Sequence, residues 1–67
     1  MVTEQTIQTV AEHLRGLWIE HKAEYTYEDY NRLDLDKCEE EFYVDQLLGM
    51  GYSDEDIDTM LDYLAYN

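Results

Sequence analysis

Near the end of the chain Ile57, Met60, Leu61 and Leu64 recur at i, i+3, i+4 and i+7, directly after the run Ser53-Asp54-Glu55-Asp56. No other feature limits the fold so tightly. That spacing lays one apolar stripe along an α-helix. Ser53 offers an N-cap oxygen, and three carboxylates follow at the positive end of the helix dipole, so a helix over Ser53 to about Ala65 is predicted. The same steps of three and four return in Ile7, Val10, Ala11, Leu14, Leu17 and Trp18, and predict a helix from Thr3 to about Ala23. Thr3 is its N-cap and Glu4 suits its first turn. Gly16 inside this helix costs about 1 kcal/mol relative to alanine, a cost that close approach of another element would explain.

A third helix is expected from Asp34 or Asp36 to Leu48 or Gly49. Leu35, Cys38 and Phe42 share one side of it, and Val44, Leu47 and Leu48 another. So broad an apolar surface predicts a central helix touching neighbours on two sides. Gly49 or Gly51 can take the left-handed conformation that ends it. Between these helices, Thr26-x-x-Asp29 resembles a capping box for a short segment over Tyr27 to Leu33. Alternating Tyr25 and Tyr27 suit an extended stretch equally well, so this region reads as helix or ordered loop. With no proline and three glycines, the chain reads as all-α. The expectation is a compact bundle of three long helices with a short fourth, forming one acidic domain over 1–67.

That domain is small. At 67 residues it lies near the lower limit for folding without disulfides or metal. A hydrophobic fraction of 45% favours a folded chain, although a net charge of −13 pushes toward disorder. Cys38 is the single cysteine, so no internal disulfide can form and a reducing compartment is expected. No basic segment followed by an apolar stretch opens the sequence, and no apolar run nears the roughly 18 residues of a membrane span. The expected location is the cytoplasm.

Chemistry-bearing patterns are weak. His13 and His21 lie on one helix, about 80° out of register, and Cys38 is remote, unlike the tight ligand pairs of zinc sites. Asp34, Asp36 and Asp45 match positions 1, 3 and 12 of an EF-hand loop, but Glu39 stands where that loop requires glycine. The same residues read as the first turn and exposed face of a helix. No serine or cysteine has a histidine at readable spacing, and no carboxylate pair stands out for acid and base work. A non-catalytic protein without metal or cofactor is expected.

Charge is unevenly spread. Arg15, Lys22, Arg32 and Lys37 all precede Cys38, whereas the final 30 residues carry nine acids and no base. Direct nucleic-acid binding is excluded by that sign. In the last helix Asp54, Glu55, Asp56, Asp58 and Asp62 place a charge about every 4 Å, against about 3.4 Å along one DNA strand. Glu39, Glu40 and Glu41 form a second cluster, and Glu20, Glu24, Glu28 and Asp29 a third. Such runs are usually solvated faces. Seven tyrosines, however, are too many for one small core. Tyr27 or Tyr30, Tyr52 and Tyr63 are expected to close its edge, leaving others for an interface. Carboxylates would steer a basic partner, and rings would add the short-range adhesion that screened charge lacks. The expected contact set is Glu24, Tyr25, Tyr27, Glu28, Asp29, Glu39, Glu40, Glu41, Asp54, Glu55, Asp56, Asp58 and Asp62.

By size, acidity and stretches such as CEEEFYVDQ and SDEDIDTMLD, the chain resembles the small acidic inhibitors of bacteriophages and mobile elements, among them DNA mimics and anti-CRISPR proteins. The resemblance is compositional. It implies a protein that occludes the nucleic-acid-binding surface of a host protein or nucleoprotein complex, in the host cytoplasm. Locally, VDQLLGMGYSDEDIDTML is similar to the first helix, Met-Gly-Tyr loop and second helix of ubiquitin-associated domains. That similarity implies ubiquitin contact through Met50, Gly51 and Tyr52, with the N-terminal helix replacing the third helix of such domains. A third expectation is a partner subunit or homodimer, in which the helix around Phe42 to Leu48 buries its second apolar side against another chain.

Overall fold

The computed structural model describes residues 2–66, and its order is α1 (Glu4–Lys22), α2 (Tyr27–Arg32), α3 (Leu35–Gly49) and α4 (Asp54–Tyr66). Each start has a side-chain cap. The Thr6 N–H donates to Thr3 Oγ1 at 3.1 Å, the Lys37 N–H to Asp34 Oδ1 at 3.3 Å, and the Asp56 N–H to Ser53 Oγ at 3.3 Å. These bonds satisfy backbone donors that have no partner within the first turn. The segment from Leu35 onward is therefore helical, with Asp34 as its cap, and cannot wrap a calcium ion as an EF-hand loop does.

The stretch 27–33 is a helix rather than an extended strand, because both halves of its capping box form. The Asp29 N–H donates to Thr26 Oγ1 at 3.3 Å and the Thr26 N–H returns a bond to Asp29 Oδ2 at 3.0 Å. The Thr26 amide holds the Asp29 carboxyl below its ordinary value. A carboxylate so depressed stabilises the folded form above its unfolded pKa and loses that contribution as pH falls through the folded one. On acidification below about pH 4, the Thr26 amide is expected to lose hydrogen-exchange protection before the bundle opens. Protection of Thr26 that tracks α4 down the whole titration would contradict this.

The α3–α4 turn is a Schellman motif. The Tyr52 N–H bonds to the Leu47 carbonyl at 3.3 Å and the Gly51 N–H to the Leu48 carbonyl at 3.1 Å. Gly51 has φ 88°, which a Cβ would strain, while Gly49 stays in the helix. Gly16 is different: nothing lies within 4 Å of where its Cβ would be, so no neighbouring element approaches it. Gly16→Ala should therefore stabilise the fold by about 0.5–1 kcal/mol, and Gly51→Ala should destabilise it by about 1–2 kcal/mol. Urea midpoints moving the same way in both variants would refute the pair.

Four residues connect α3 to α4, so the two pack as an antiparallel pair. Val2 lines one groove with Ser53, Asp56 and Thr59, and Arg15 reaches the Leu64 carbonyl, so α1 runs parallel to α4. All three longer helices touch one another, and α3 is one side of a triangle rather than a centre. Leu14, Trp18, Tyr43, Leu47, Ile57 and Met60 form the core, with Ala11 buried beside them. Leu48, expected on the second apolar side of α3, is 53% exposed. The tyrosine assignment changes in part, since Tyr52 and Tyr63 keep the partly covered positions expected of them. Tyr43 is the buried ring, Tyr52 and Tyr63 are half-buried, and Tyr27 and Tyr30 are exposed. Tyr43 wins because it lies beside Leu47 on the strip of α3 that faces α1 and α4 together. The α2 helix is six residues long and buries none of them.

Candidate functional site

Antiparallel packing brings the first half of α3 against the last half of α4 and opens a groove of about 440 Å³ between them. Asp36, Glu39 and Glu40 stand on one wall and Asp62 on the other, over a floor of Tyr43, Leu61, Leu64 and Ala65. The floor exists because Leu61 and Leu64 flank the buried strip of α4 and are only half covered. Inside the groove the Tyr43 hydroxyl donates to Glu39 Oε2 at 2.6 Å. Burial first, then the bond to Glu39 and its charge, raises that hydroxyl well above its ordinary range. Tyr43 stays neutral and a donor, and Glu39 is held one turn away on the same helix.

Asp36 was absent from the contact set expected from sequence. A helical hairpin brings together residues at nearly equal chain distance from its turn, so Asp36 meets the level of Ala65 and Glu39 that of Asp62. Reflection about Met50 and Gly51 could have found the pair. Arg15 marks the far wall of α4. Its guanidinium bonds the Leu64 carbonyl at 3.3 Å and lies 5.9 Å from the Tyr63 ring centre. It thereby caps a helix whose own last turn has no base.

The remaining acids divide between faces. At about 100° per residue, Asp54, Asp58, Asp62 and Glu55 fall within about 100° of arc on α4, opposite Ile57, Met60 and Leu64. All four are exposed. Asp56 lies off that face, half-buried beside Val2. Glu40 and Glu41 flank Val44 with Lys37 and Asp45 on the outer side of α3. Glu24 joins Glu20 and His21 in a shallow groove against Leu17, Phe42 and Gln46. Asp29 pairs with Arg32 at 3.4 Å, the single ion pair among the described residues.

Tyr25 and Tyr27 part company. Tyr25 is half-buried, packing edge-on against Trp18 at 6.1 Å and His21 at 5.4 Å. Partial burial, then the neighbouring Cys38, Asp29 and Tyr30, raises its hydroxyl above the ordinary value. Tyr27 is 80% exposed on α2 with Glu28 beside it. His21 is exposed but stacks on Phe42 at 4.8 Å, so its ring extends the aromatic cluster. Among the described residues, no group of three or more His, Cys, Asp or Glu side chains is placed to hold a metal ion.

No family model, curated protein or solved structure matches the chain. No helix among the described residues is long and apolar enough to cross a membrane. What the molecule offers is an α4 face of carboxylates without cations, continuous at Asp62 with an acid-walled groove.

Proposed function

We propose that the chain is a non-catalytic inhibitor that occupies a basic nucleic-acid-binding surface of a host protein or nucleoprotein complex, its carboxylates standing in for phosphates. One observation carries this reading: of the seventeen Asp and Glu, Asp29 alone among the described residues has a cation partner. Ion pairs on a surface contribute little, but unpaired like charges repel, and a small core bears that repulsion. A basic cleft would relieve it and gain complementarity at once. Four carboxylates, Asp54, Glu55, Asp58 and Asp62, share one face along about 12 Å of α4, about one per 4 Å and close to the spacing of phosphates on one strand. Exposed Tyr27 adds a ring where the target's stacking platforms would otherwise meet bases.

The test is competition. Proteins retained by the immobilised chain at low salt should be displaced by duplex DNA or by single-stranded RNA, and by about 0.5 M NaCl. Retention that persists in that salt, and that nucleic acid does not displace, would replace a charge mimic with an apolar interface.

A second reading follows from the turn. Met50 is 43% exposed beside Gly51 at φ 88°, and α1 packs against both helices that flank this turn. Contact with ubiquitin through Met50 would survive salt and be lost in Met50→Ala. A homodimer would use exposed Leu48, and sedimentation of the isolated protein separates it from both.

A further inference from the structure

The geometry points to the α3–α4 groove as the seat of an arginine side chain presented by the basic partner, with the guanidinium between Glu40 and Asp62 and its methylenes on Leu61 and Leu64. The inference rests on the proposed function and names the chemistry of that contact. Three features of the groove select the occupant. Its walls are carboxylates from two helices and none of its lining residues is a base, so it is complementary to a cation. Its floor is apolar, which a compact hydrated ammonium or a hard metal ion would leave dry and unused, whereas a guanidinium is weakly hydrated and its stem packs on such a surface. Its volume of about 440 Å³ exceeds what an ion and a few waters fill, at about 30 Å³ per water.

The carboxylates are not equivalent. Glu39 already accepts from Tyr43 at 2.6 Å, which fixes it as a wall, while the Glu40 and Asp62 carboxylates, one on each helix, are exposed and have no hydrogen-bond or ion-pair partner among the described residues. They are the acceptors for a planar donor, and Arg can bond them through its fork where Lys offers a single point charge. The buried Tyr43 ring, its hydroxyl bonded to Glu39, completes the floor.

Blocked peptides of equal length and charge, one carrying arginine and leucine and the other lysine and leucine, test the assignment by NMR titration of the full chain. The arginine peptide should bind several-fold more tightly, with shifts centred on Tyr43, Leu61, Asp62 and Ala65. Glu40→Gln with Asp62→Asn should weaken it about tenfold, and Asp54→Asn should change it less than about twofold. These positions are exposed, so the variants keep the fold, which circular dichroism verifies. Equal affinity for both peptides, or shifts spread evenly along Asp54, Asp58 and Asp62, would overturn the seat. Such a result leaves the broader reading intact wherever salt and DNA still displace the retained partner. A partner indifferent to both removes that reading even if the arginine peptide binds.

Discussion

Replacing Asp54, Asp58 and Asp62 together by lysine will abolish retention of the basic partner, lowering affinity at least about a hundredfold at about 0.1 M salt. The change moves six units of charge on one exposed face of α4, turning three favourable approaches into three repulsive ones. At about 0.5–1 kcal/mol for each partly screened contact, lost and then reversed, the sum over three contacts lies at about 3–6 kcal/mol. Folding should survive. Lysine is a good helix former. The i, i+4 contacts among the three positions stay like-charged, but the six units take the net charge from −13 to −7, and lysine at position 58 gains Glu55 as an opposite charge at i−3, against a few tenths of a kcal/mol for lysine near the positive helix end. The neutral triple change to asparagine should fall between the two, and the slope of affinity against salt should flatten in the order wild type, asparagine, lysine. A lysine variant that is folded by circular dichroism yet binds as tightly as wild type would mean that these carboxylates are idle.

Leu47→Ala will remove about 2–5 kcal/mol, a large share of the chain's stability, whereas Leu48→Ala next to it will be close to neutral. Leu47 is fully covered and Leu48 is 53% exposed. Truncating a buried leucine costs about 2–5 kcal/mol. A domain of this length has about 3–10 kcal/mol in total, at 0.05–0.15 kcal/mol per residue. No disulfide supports it, since Cys38 is free. Leu14, equally covered on α1, should behave like Leu47, because the two meet in one core cluster. Urea denaturation followed by circular dichroism separates the neighbours; similar midpoints for Leu47→Ala and Leu48→Ala would show that α3 turns a different strip inward.

That strip was the part of the fold least legible from sequence. In α1 and α4 the apolar residues occupy one face, so the period alone points them inward, and Leu14, Trp18, Ile57 and Met60 are buried as the spacing predicts. Thr26 and Asp29 offer α2 as one of two readings, helix or ordered loop, and the capping box they form decides for the helix. In α3 the apolar residues run nearly all round the helix, and periodicity names no direction. Tertiary packing decides there, choosing Tyr43 and Leu47 over Leu48. Tyrosine compounds the difficulty, because a ring with a hydroxyl is content at either depth. The acids of α4 could be read as one face from spacing alone. The groove is not legible from spacing within either helix, since Glu39 and Asp62 lie on different helices and share a level only through the register of the hairpin, which reflection about the Met50–Gly51 turn would have exposed.

Because α2 buries no side chain, its attachment rests on few links, chiefly the Tyr30 hydroxyl on the Lys22 carbonyl at 3.1 Å and the Tyr25–Tyr30 edge contact at 6.3 Å. The molecule thus has two tiers of cooperativity. A three-helix body melts as one unit, and a six-residue flap can detach from it without exposing the core. Tyr27 and Glu28 ride on that flap, so they can be repositioned by a partner for little more than the loss of one hydroxyl bond and one ring contact.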